Sequence, residues 1–395
     1  MQPGCLAKLF LRLVVLLGVA LAVAACDGHR PAPSSVDVTQ ALGGEAEEGF
    51  ERAMTVREFH FPADHGPHPE FRNEWWYITG HGRDERDNLY GFQITFFRIA
   101  IAPDAPRRAS AWAGNQVWMA HAAVTDVASG LHLAAQRYSR AEPGLAGAAA
   151  APFRVWLGDW QLTGLPEEGI TGEAANGAAQ GGLWHLSMAA EDFALELTFN
   201  PAKPVVLQGD RGLSQKSGSP GNASYYYSIP RLDTGGELTI GSGGDKRVIP
   251  VTGMSWLDRE WGTSALGADQ SGWDWFSLQL DSGRDLMFYR LRDTEGGMHG
   301  SSLGTWIEAD GSSTVISPDD IRLTPLQWWR SPGGRRYPVS WSLNYPGAGA
   351  DWIVRALLPD QEMNLAVIYW EGLVEVLEPE SGRRLGLGYL EMTGY

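Results

Sequence analysis

The chain has 395 residues, with 47 acidic side chains against 31 basic ones, and it contains only two cysteines. The formal net charge of −16 and the lack of a basic patch interleaved with aromatic residues argue against nucleic acid as a partner. The low cysteine count excludes a disulfide-rich scaffold, and the length is sufficient for two domains that each have a core.

Residues 1–25 predict a secretory signal. Lys8 and Arg12 precede an apolar run from Leu13 to Ala22, and small residues then lead to Cys26. This order resembles a bacterial lipoprotein signal, which implies cleavage before Cys26 and lipid attachment to it. An ordinary cleaved signal with an incidental cysteine is the alternative. A transmembrane helix is disfavoured because the apolar run is short for a bilayer span.

Residues 26–55 are rich in Pro, Ser, Ala, Gly and Glu, a composition that predicts a flexible tether between the lipid and the folded part. We therefore expect a lipoprotein of the cell envelope that faces the periplasm, held in either the inner or the outer membrane. The expected partners are the membrane, reached through Cys26, and an envelope transporter.

The rest of the chain predicts β structure. Apolar residues alternate with polar ones in Phe193–Phe199 and in Tyr90–Phe96, which is the pattern of half-buried strands. Further strand-like runs, separated by turn residues, cover Trp184–Ala189, Trp273–Leu280, Arg284–Arg292, Ser340–Tyr345, Trp352–Leu358 and Tyr369–Leu377. No amphipathic helix longer than about two turns is indicated. The Gly/Ala-rich segments Gly144–Pro152 and Glu167–Gly182 are interpreted as loops or insertions within the first domain. The pattern favours sandwiches or closed barrels.

A faint internal repeat indicates two related domains. The run Glu74–Ile78 leads through a turn to Leu89–Phe92, and Asp274–Leu278 leads through a shorter turn to Asp285–Phe288. Both are Trp-led strands followed by an aromatic strand, although aromatic hairpins also occur by chance. We place an N-terminal domain at residues 56–224 and a C-terminal domain at 225–395.

Two segments place carboxylates directly beside tryptophans, namely Arg72–Tyr77 and Trp256–Gly262. Acidic groups prefer water whereas indole rings prefer burial. A carboxyl group in an apolar pocket loses solvation, so its pKa rises and it can donate a proton at neutral pH. Asp258 and Glu260 are two residues apart, so on a strand both would face the same side. These residues carry the main chemical signal.

The ordered motifs of the chain carry a family resemblance. They are His65–Tyr77, Tyr90–Arg98, Ala120–Ala123, Tyr225–Ser228, Trp256–Gly262, Tyr369–Gly372 and Gly388–Tyr395. The sequence resembles the AttH-like and carotenoid 1,2-hydratase (hydroxyneurosporene synthase) superfamily, including its branch of exported proteins loosely called secreted hydrolases. The resemblance implies an all-β fold with two lipocalin-like β-barrel domains packed together.

For the hydratases, the resemblance implies acid-catalysed addition of water to an isolated C=C bond inside a lipocalin-like cavity. Asp258 would be the acid, and Glu260 or His121 would assist. Aromatic rings would stabilise the resulting cation by ~1–2 kcal/mol each. The chain carries Trp256 where the hydratases have a tyrosine two residues before the acid. If the protein is an enzyme, we expect a hydro-lyase or a hydrolase.

The candidate ligand-binding residues are Glu74, Trp75, Tyr77, Gln93, Tyr226, Trp256, Trp261 and Trp275. Structural alternatives stay open for several candidates. Asp258 or Glu260 could pair with Arg259, Arg231 or another neighbouring arginine. Glu74 could cap backbone amides or pair with Arg98. His121 could be a core histidine with its hydrogen bonds satisfied. The tryptophans fit core or cavity walls better than catalytic groups.

No cofactor and no metal site are predicted. His65 and His68 are three residues apart and His121 could add a third nitrogen, but no cysteine pair or His-Glu-x-x-His pattern accompanies them. No Gly-x-Ser-x-Gly elbow is present. Two main hypotheses remain. One is an anchored protein that binds an apolar or amphipathic small molecule and acts on it with Asp258. The other is a non-catalytic carrier of lipid or lipoprotein acyl chains. A purely structural envelope protein is a third.

Overall fold

The structure, a computed structural model, describes residues 36–37, 48–104, 110, 113–165, 182–264 and 266–395. The predicted signal peptide, Cys26 and most of the predicted tether lie outside these residues. The described part contains three short 3-10 turns, at Ala63–His65, Gly243–Asp245 and Pro346–Ala348. It contains no helix long and apolar enough to cross a membrane.

The described residues form 24 β-strands. Those of the first half are β1 Val36–Asp37, β2 Asn73–Arg83, β3 Leu89–Ala100, β4 Gln116–Asp126, β5 Leu131–Arg140, β6 Ala146–Ala150, β7 Phe153–Leu157, β8 Trp160–Gly164, β9 Trp184–Ala189, β10 Phe193–Pro201, β11 Val206–Leu207 and β12 Leu213–Gln215. Those of the second half are β13 Ala223–Ile240, β14 Arg247–Gly262, β15 Gln270–Leu280, β16 Asp285–Asp293, β17 Leu303–Ile307, β18 Ser313–Ile316, β19 Arg322–Arg330, β20 Arg336–Tyr345, β21 Ala350–Ala356, β22 Glu362–Asn364, β23 Val367–Leu377 and β24 Arg384–Met392.

The predicted fold class is confirmed, since the strands form two large sheets. One has 13 strands, in the order β5-β4-β3-β2-β14-β13-β10-β9-β8-β7-β6, with β11 and β12 pairing to β13. The other has 11, in the order β18-β17-β16-β15-β24-β23-β21-β20-β19, with β1 and β22 pairing to β23. The first sheet therefore extends to Gly262, so residues 225–262, which the sequence analysis assigned to the second domain, pair within the first sheet.

The internal repeat has a counterpart in the strand pairing. The neighbouring strands β3-β2-β14-β13 of the first sheet correspond in order to β16-β15-β24-β23 of the second. Within them, Glu74 lies opposite Arg98, and Asp274 lies opposite Arg290. The two halves of the chain thus repeat one arrangement down to individual residues.

Each sheet encloses its own apolar core, so the barrel interiors are filled by side chains. Phe92, Leu197 and Trp261 belong to the first core, and Leu278 and Trp341 belong to the second. Successive side chains on a strand point to opposite faces. The alternate residues of the same strands therefore form a third cluster that draws on both sheets, including Tyr77, Tyr226, Trp256, Trp275 and Tyr389.

Two segments were not expected to belong to the folded β structure. In the structure, one packs on the first sheet and the other contains a strand. Residues 48–55, assigned to the tether, lie on the first sheet: the amide of Glu51 donates to Glu70 O at 3.0 Å, and the Tyr225 hydroxyl donates to Thr55 O at 2.9 Å. For Gly144–Pro152 the loop alternative is wrong, because β6 pairs with β7 there, whereas the insertion alternative stays a prediction. Residues 167–181 of the second Gly/Ala-rich segment lie outside the described residues. The Trp156 ring covers Gly147, where a Cβ atom would lie 2.6 Å from it.

Candidate active site between the two sheets

One cavity of the described residues lies between the two sheets, lined by residues of both. It holds about 750 Å³ of empty space, counting the part open to solvent. Its walls are largely aromatic, and its polar groups are few: Thr95, Lys216, Asp258, Glu260 and Glu391, besides tyrosine hydroxyls. The sequence predicted a lipocalin-like cavity, which would lie inside a barrel. The structure instead has this cavity between the two barrels, because core side chains fill the barrel interiors.

Strand alternation places Asp258 and Glu260 together, as the sequence predicted. Both side chains of β14 line the cavity. Their strand neighbours on β2 are Tyr77, opposite Asp258, and Trp75, opposite Glu260. These two rings line the same cavity. Arg259, between the two acids, points to the other face of the sheet.

Asp258 is held by three hydrogen-bond donors. The Tyr226 hydroxyl donates to Oδ2 at 2.5 Å, and the Ser228 hydroxyl and Trp256 Nε1 donate to Oδ1 at 2.5 and 2.7 Å. Asp258 is only 2% exposed. Burial raises its pKa to about 7, with a smaller upward contribution from Glu260, even though the three donors act in the opposite direction. Near neutral pH, Asp258 therefore exchanges a proton readily.

Glu260 has a different environment, because it forms an ion pair. Lys216 Nζ lies 2.7 Å from Glu260 Oε1, and the Ser224 hydroxyl donates to the same oxygen. The Lys216 ammonium also lies 4.3 Å from the centre of the Tyr289 ring. Neither Arg259 nor Arg231 pairs with Glu260 or Asp258, so the partner is a lysine that sequence reasoning did not single out.

A second pair of acids enters from the other sheet. Glu371 and Glu391 are directly opposite each other on β23 and β24. The Tyr77 hydroxyl donates to Glu371 Oε1 at 2.5 Å, and Trp273 Nε1 donates to Glu391 Oε1 at 2.7 Å. Burial is the main cause that raises both carboxyl pKa values, that of Glu391 to about 7 and that of Glu371 well above its ordinary value.

His121 lies behind the cavity wall, in contact with the lining residue Tyr369. Its ring is fully buried, and Nδ1 lies 2.9 Å from the Tyr369 hydroxyl, which itself lines the cavity. Burial lowers the pKa of His121 to about 3, so the ring is neutral in the folded protein at neutral pH. His121 does not line the cavity itself, but its ring contacts two residues that do, Tyr369 and Phe97.

Glu74 lies on the opposite face of β2, away from the cavity. It forms ion pairs with Arg98 and Arg259, and it accepts the backbone amide of His68 at 3.0 Å. The His68 ring stacks on Trp261 with centroids 3.8 Å apart. The structural alternative for Glu74, pairing with Arg98, is the arrangement observed, and Trp261 belongs to the first barrel core.

The remaining candidates fall into two groups. Trp75, Tyr77, Tyr226 and Trp275 line the cavity. Trp256 contacts Asp258 without lining the cavity, and Gln93 accepts a hydrogen bond from Thr95 at 3.2 Å behind the cavity wall. Within the described ranges, no group of three or more His, Cys, Asp or Glu residues has a geometry that could hold a metal ion.

Sequence reasoning missed Glu371, Glu391 and Lys216 as site residues. A usable signal existed for Glu371, because it directly follows Trp370 and so fits the rule that directed attention to Asp258 and Glu260. Glu391 lies at the position of β24 that corresponds to Glu260 on β14, since these residues are opposite Trp275 and Trp75 respectively. Lys216 had no sequence signal.

This two-sheet β architecture is shared with known proteins. The profile of the AttH-like family matches residues 52–395, and the chain belongs to that family. A crystal structure of an AttH-like protein from Nitrosomonas europaea is 32% identical, with a TM-score of 0.73 over 88% of this chain and all of that one.

Curated relatives match a shorter stretch. Kievitone hydratase from Fusarium solani subsp. phaseoli is 25% identical over 181 residues, which is 44% of this chain and 48% of that protein. Dehydratase asqC from Emericella nidulans is 23% identical over 161 residues, or 39% and 44% of the two chains. The match thus spans about half the length of these relatives. The crystal structure of kievitone hydratase from Nectria haematococca, 17% identical, shares the fold with a TM-score of 0.62 over 88% of this chain and 97% of that one.

Proposed function

We propose that this protein adds water to an isolated C=C bond of an apolar or amphipathic small molecule, or forms such a bond by removing water from the corresponding alcohol, with Asp258 as the acid. The observation that carries the proposal is the position of Asp258, buried at the wall of an aromatic cavity with its pKa raised to about 7. A carboxylic acid that is partly protonated at neutral pH is suited to proton donation. The homology to kievitone hydratase supports a reaction of this class.

The cavity supplies the other requirements of the reaction. When Asp258 donates its proton to a carbon, its carboxylate remains bound to the donors Tyr226, Ser228 and Trp256. Aromatic rings that line the cavity, such as Trp275, would stabilise a cation by ~1–2 kcal/mol each. The largely aromatic lining favours an apolar substrate.

Export and anchoring form a separate proposal that depends on the sequence alone. We propose that the chain is cleaved before Cys26, lipidated there, and held in the cell envelope facing the periplasm. The test is metabolic labelling with an alkyne fatty acid. We expect label in the wild type and none in Cys26→Ser, whereas equal labelling of both proteins would contradict the proposal.

A lipocalin-like carrier without catalysis is the alternative, favoured by the aromatic lining of the cavity. The deciding experiment incubates wild type, Asp258→Asn and the control Asp233→Asn with kievitone and with a panel of apolar alkenes in heavy-oxygen water. Asp233 is an exposed residue of the same sheet, on β13. The readouts are the mass gain of one labelled water molecule and ligand affinity, measured by tryptophan fluorescence.

An enzyme should lose turnover by at least a hundredfold in Asp258→Asn while it keeps affinity and melting temperature. Asp233→Asn should behave like the wild type. A carrier would bind the probes with no water addition in any variant, and would release a bound lipid in native mass spectrometry. Wild-type turnover that persists in Asp258→Asn would exclude Asp258 as the acid.

A further inference from the structure

We propose that Glu391 is the second catalytic residue, the base that takes a proton from the attacking water while Asp258 protonates the carbon. This inference rests on the proposed function. It assigns the two proton transfers to opposite walls of the cavity, one to β14 of the first sheet and the other to β24 of the second.

The geometry of Glu391 fits a base. Its carboxylate lines the cavity and is partly exposed to it, and Trp273 Nε1 holds one oxygen at 2.7 Å. Glu260, which has the corresponding position in the first sheet, forms an ion pair with Lys216 and accepts a hydrogen bond from Ser224. Among the described residues, no cation forms an ion pair with Glu391, whose hydrogen-bond donors are Trp273 and the Tyr77 hydroxyl.

Glu371 acts as a positioning residue for Glu391. Two carboxylates opposite each other on neighbouring strands repel when both are ionised. Glu371 is fully buried and accepts the Tyr77 hydroxyl, whereas Glu391 faces the cavity. The neutral form is therefore favoured at Glu371, which leaves Glu391 free to change its protonation state.

The other charged and titratable groups around Glu391 are compatible with this assignment. Asp258 and Glu260 of β14 repel its charged form and so raise its pKa, after the larger effect of burial. Lys216, which lines the same cavity, is compensated by Glu260. With the Glu391 pKa at about 7, its carboxylate can accept a proton near neutral pH.

The reaction balances without a further reactant. The O–H bond of Asp258 breaks and a C–H bond forms on one alkene carbon, which leaves a cation on the other carbon. The water oxygen bonds to that cation, and one water O–H bond breaks as its proton passes to the Glu391 carboxylate. The proton then returns from Glu391 to Asp258 through solvent in the cavity, so the enzyme is regenerated.

The test separates the two proton transfers. Kievitone and the alkene panel are incubated in heavy water and, separately, in heavy-oxygen water. Reversible protonation by Asp258 places deuterium in recovered alkene, whereas capture of the cation places heavy oxygen in the product. For Glu391→Gln we expect deuterium exchange to persist while water addition falls at least a hundredfold. For Asp258→Asn both should disappear.

The controls assign each failure to one proposal. Glu196→Gln, at an exposed site on β10, should match the wild type. A wild type that shows neither exchange nor water addition would overturn the proposed function. Water addition by Glu391→Gln at the wild-type rate would overturn the role of Glu391 and leave that of Asp258 intact.

An infrared titration needs no substrate and identifies the member of the pair that changes protonation. The titration is made in an Asp258→Asn background, which removes the other carboxyl with a pKa of about 7. We expect a protonated-carboxyl band that titrates near pH 7, is absent when Glu391→Gln is added, and keeps its midpoint when Glu371→Gln is added, because glutamine mimics the neutral acid. A midpoint lowered by more than about one pH unit in Glu371→Gln would show that Glu371 carries the charge, which would overturn the assignment.

Discussion

Asp258 and Arg259 are adjacent in the chain, yet their side chains lie on opposite faces of β14 and belong to different networks. Asp258 faces the cavity between the sheets, whereas Arg259 pairs with Glu74 on the face of the first barrel core. One strand therefore carries the candidate chemistry on one side and a buried ion pair on the other. Substitutions at neighbouring positions should separate turnover from stability.

Removal of a donor to Asp258 should shift the pH dependence of turnover. Because Asp258 must be protonated to act, activity should fall as the pH rises through about 7. Trp256→Phe deletes a donor that stabilises the ionised form, so the pKa of Asp258 should rise and the alkaline limb should move up by about one unit. The measurement is kcat/KM against pH. The control is Trp160→Phe, because the buried Trp160 indole donates to Ala189 O and not to Asp258. This variant should leave the alkaline limb of the pH profile at its wild-type position.

The pair of Lys216 and Glu260 should show strong coupling in a double-mutant cycle. Lys216→Met leaves the Glu260 carboxylate buried without its cation, which should cost about 3–5 kcal/mol of unfolding free energy. Adding Glu260→Gln removes that charge and should recover most of the loss. Urea unfolding of the four proteins at neutral pH gives the coupling energy. Additive effects would mean that the two groups do not interact in solution.

Glu74→Gln should destabilise the protein without affecting the cavity. Two arginines are left without their carboxylate, at a cost of about 3–5 kcal/mol. The ion pairs depress the pKa of Glu74, so their contribution is complete above its unfolded value and is lost as pH falls towards the folded one. Urea unfolding is compared with probe affinity measured by fluorescence. Glu196→Gln should change stability by less than about 1 kcal/mol, and a Glu74→Gln protein that loses affinity at full stability would contradict this assignment.

His121 should make the protein less stable in mild acid. Its folded pKa of about 3 lies below the ordinary value of 6.5, so the unfolded chain binds the proton first. Stability is then complete above about pH 6.5 and falls as pH decreases towards 3, by about 1.4 kcal/mol per unit. His121→Gln should flatten this part of the curve of unfolding free energy against pH. His132 and His81 contribute to the same pH dependence of the unfolding free energy, because burial lowers their pKa values to about 4. Single variants of these two histidines therefore serve as comparisons for His121→Gln.

Alternation of side chains made much of the fold predictable. The run Trp184–Ala189 has the same bounds as β9, because apolar residues at every second position specify a half-buried strand. The Ala-rich β6 was missed, since alanine and glycine have weak strand preference and the segment is specified by its pairing with β7. The order of strands in the sheets depends on pairings across many residues, which local patterns do not encode.

The site was predictable where two acids share one strand. Asp258 and Glu260 were placed on one face from their spacing alone, and the structure places them in one cavity. The location of that cavity was wrong, because a lipocalin-like barrel implied an interior space and packed cores fill both interiors. Glu391 reaches the site from a strand of the other sheet, so only the tertiary structure brings it into the cavity that Asp258 lines.

Glu260 and Glu391 occupy corresponding positions in the two sheets, yet their surroundings differ. Both side chains occupy the same place in their halves, opposite Trp75 and Trp275. A lysine neutralises one of them, and an acid neighbours the other. The proposed catalysis would then require both sheets, because each contributes one wall of the cavity. Either half of the chain produced by itself would lack one of the two proposed catalytic residues.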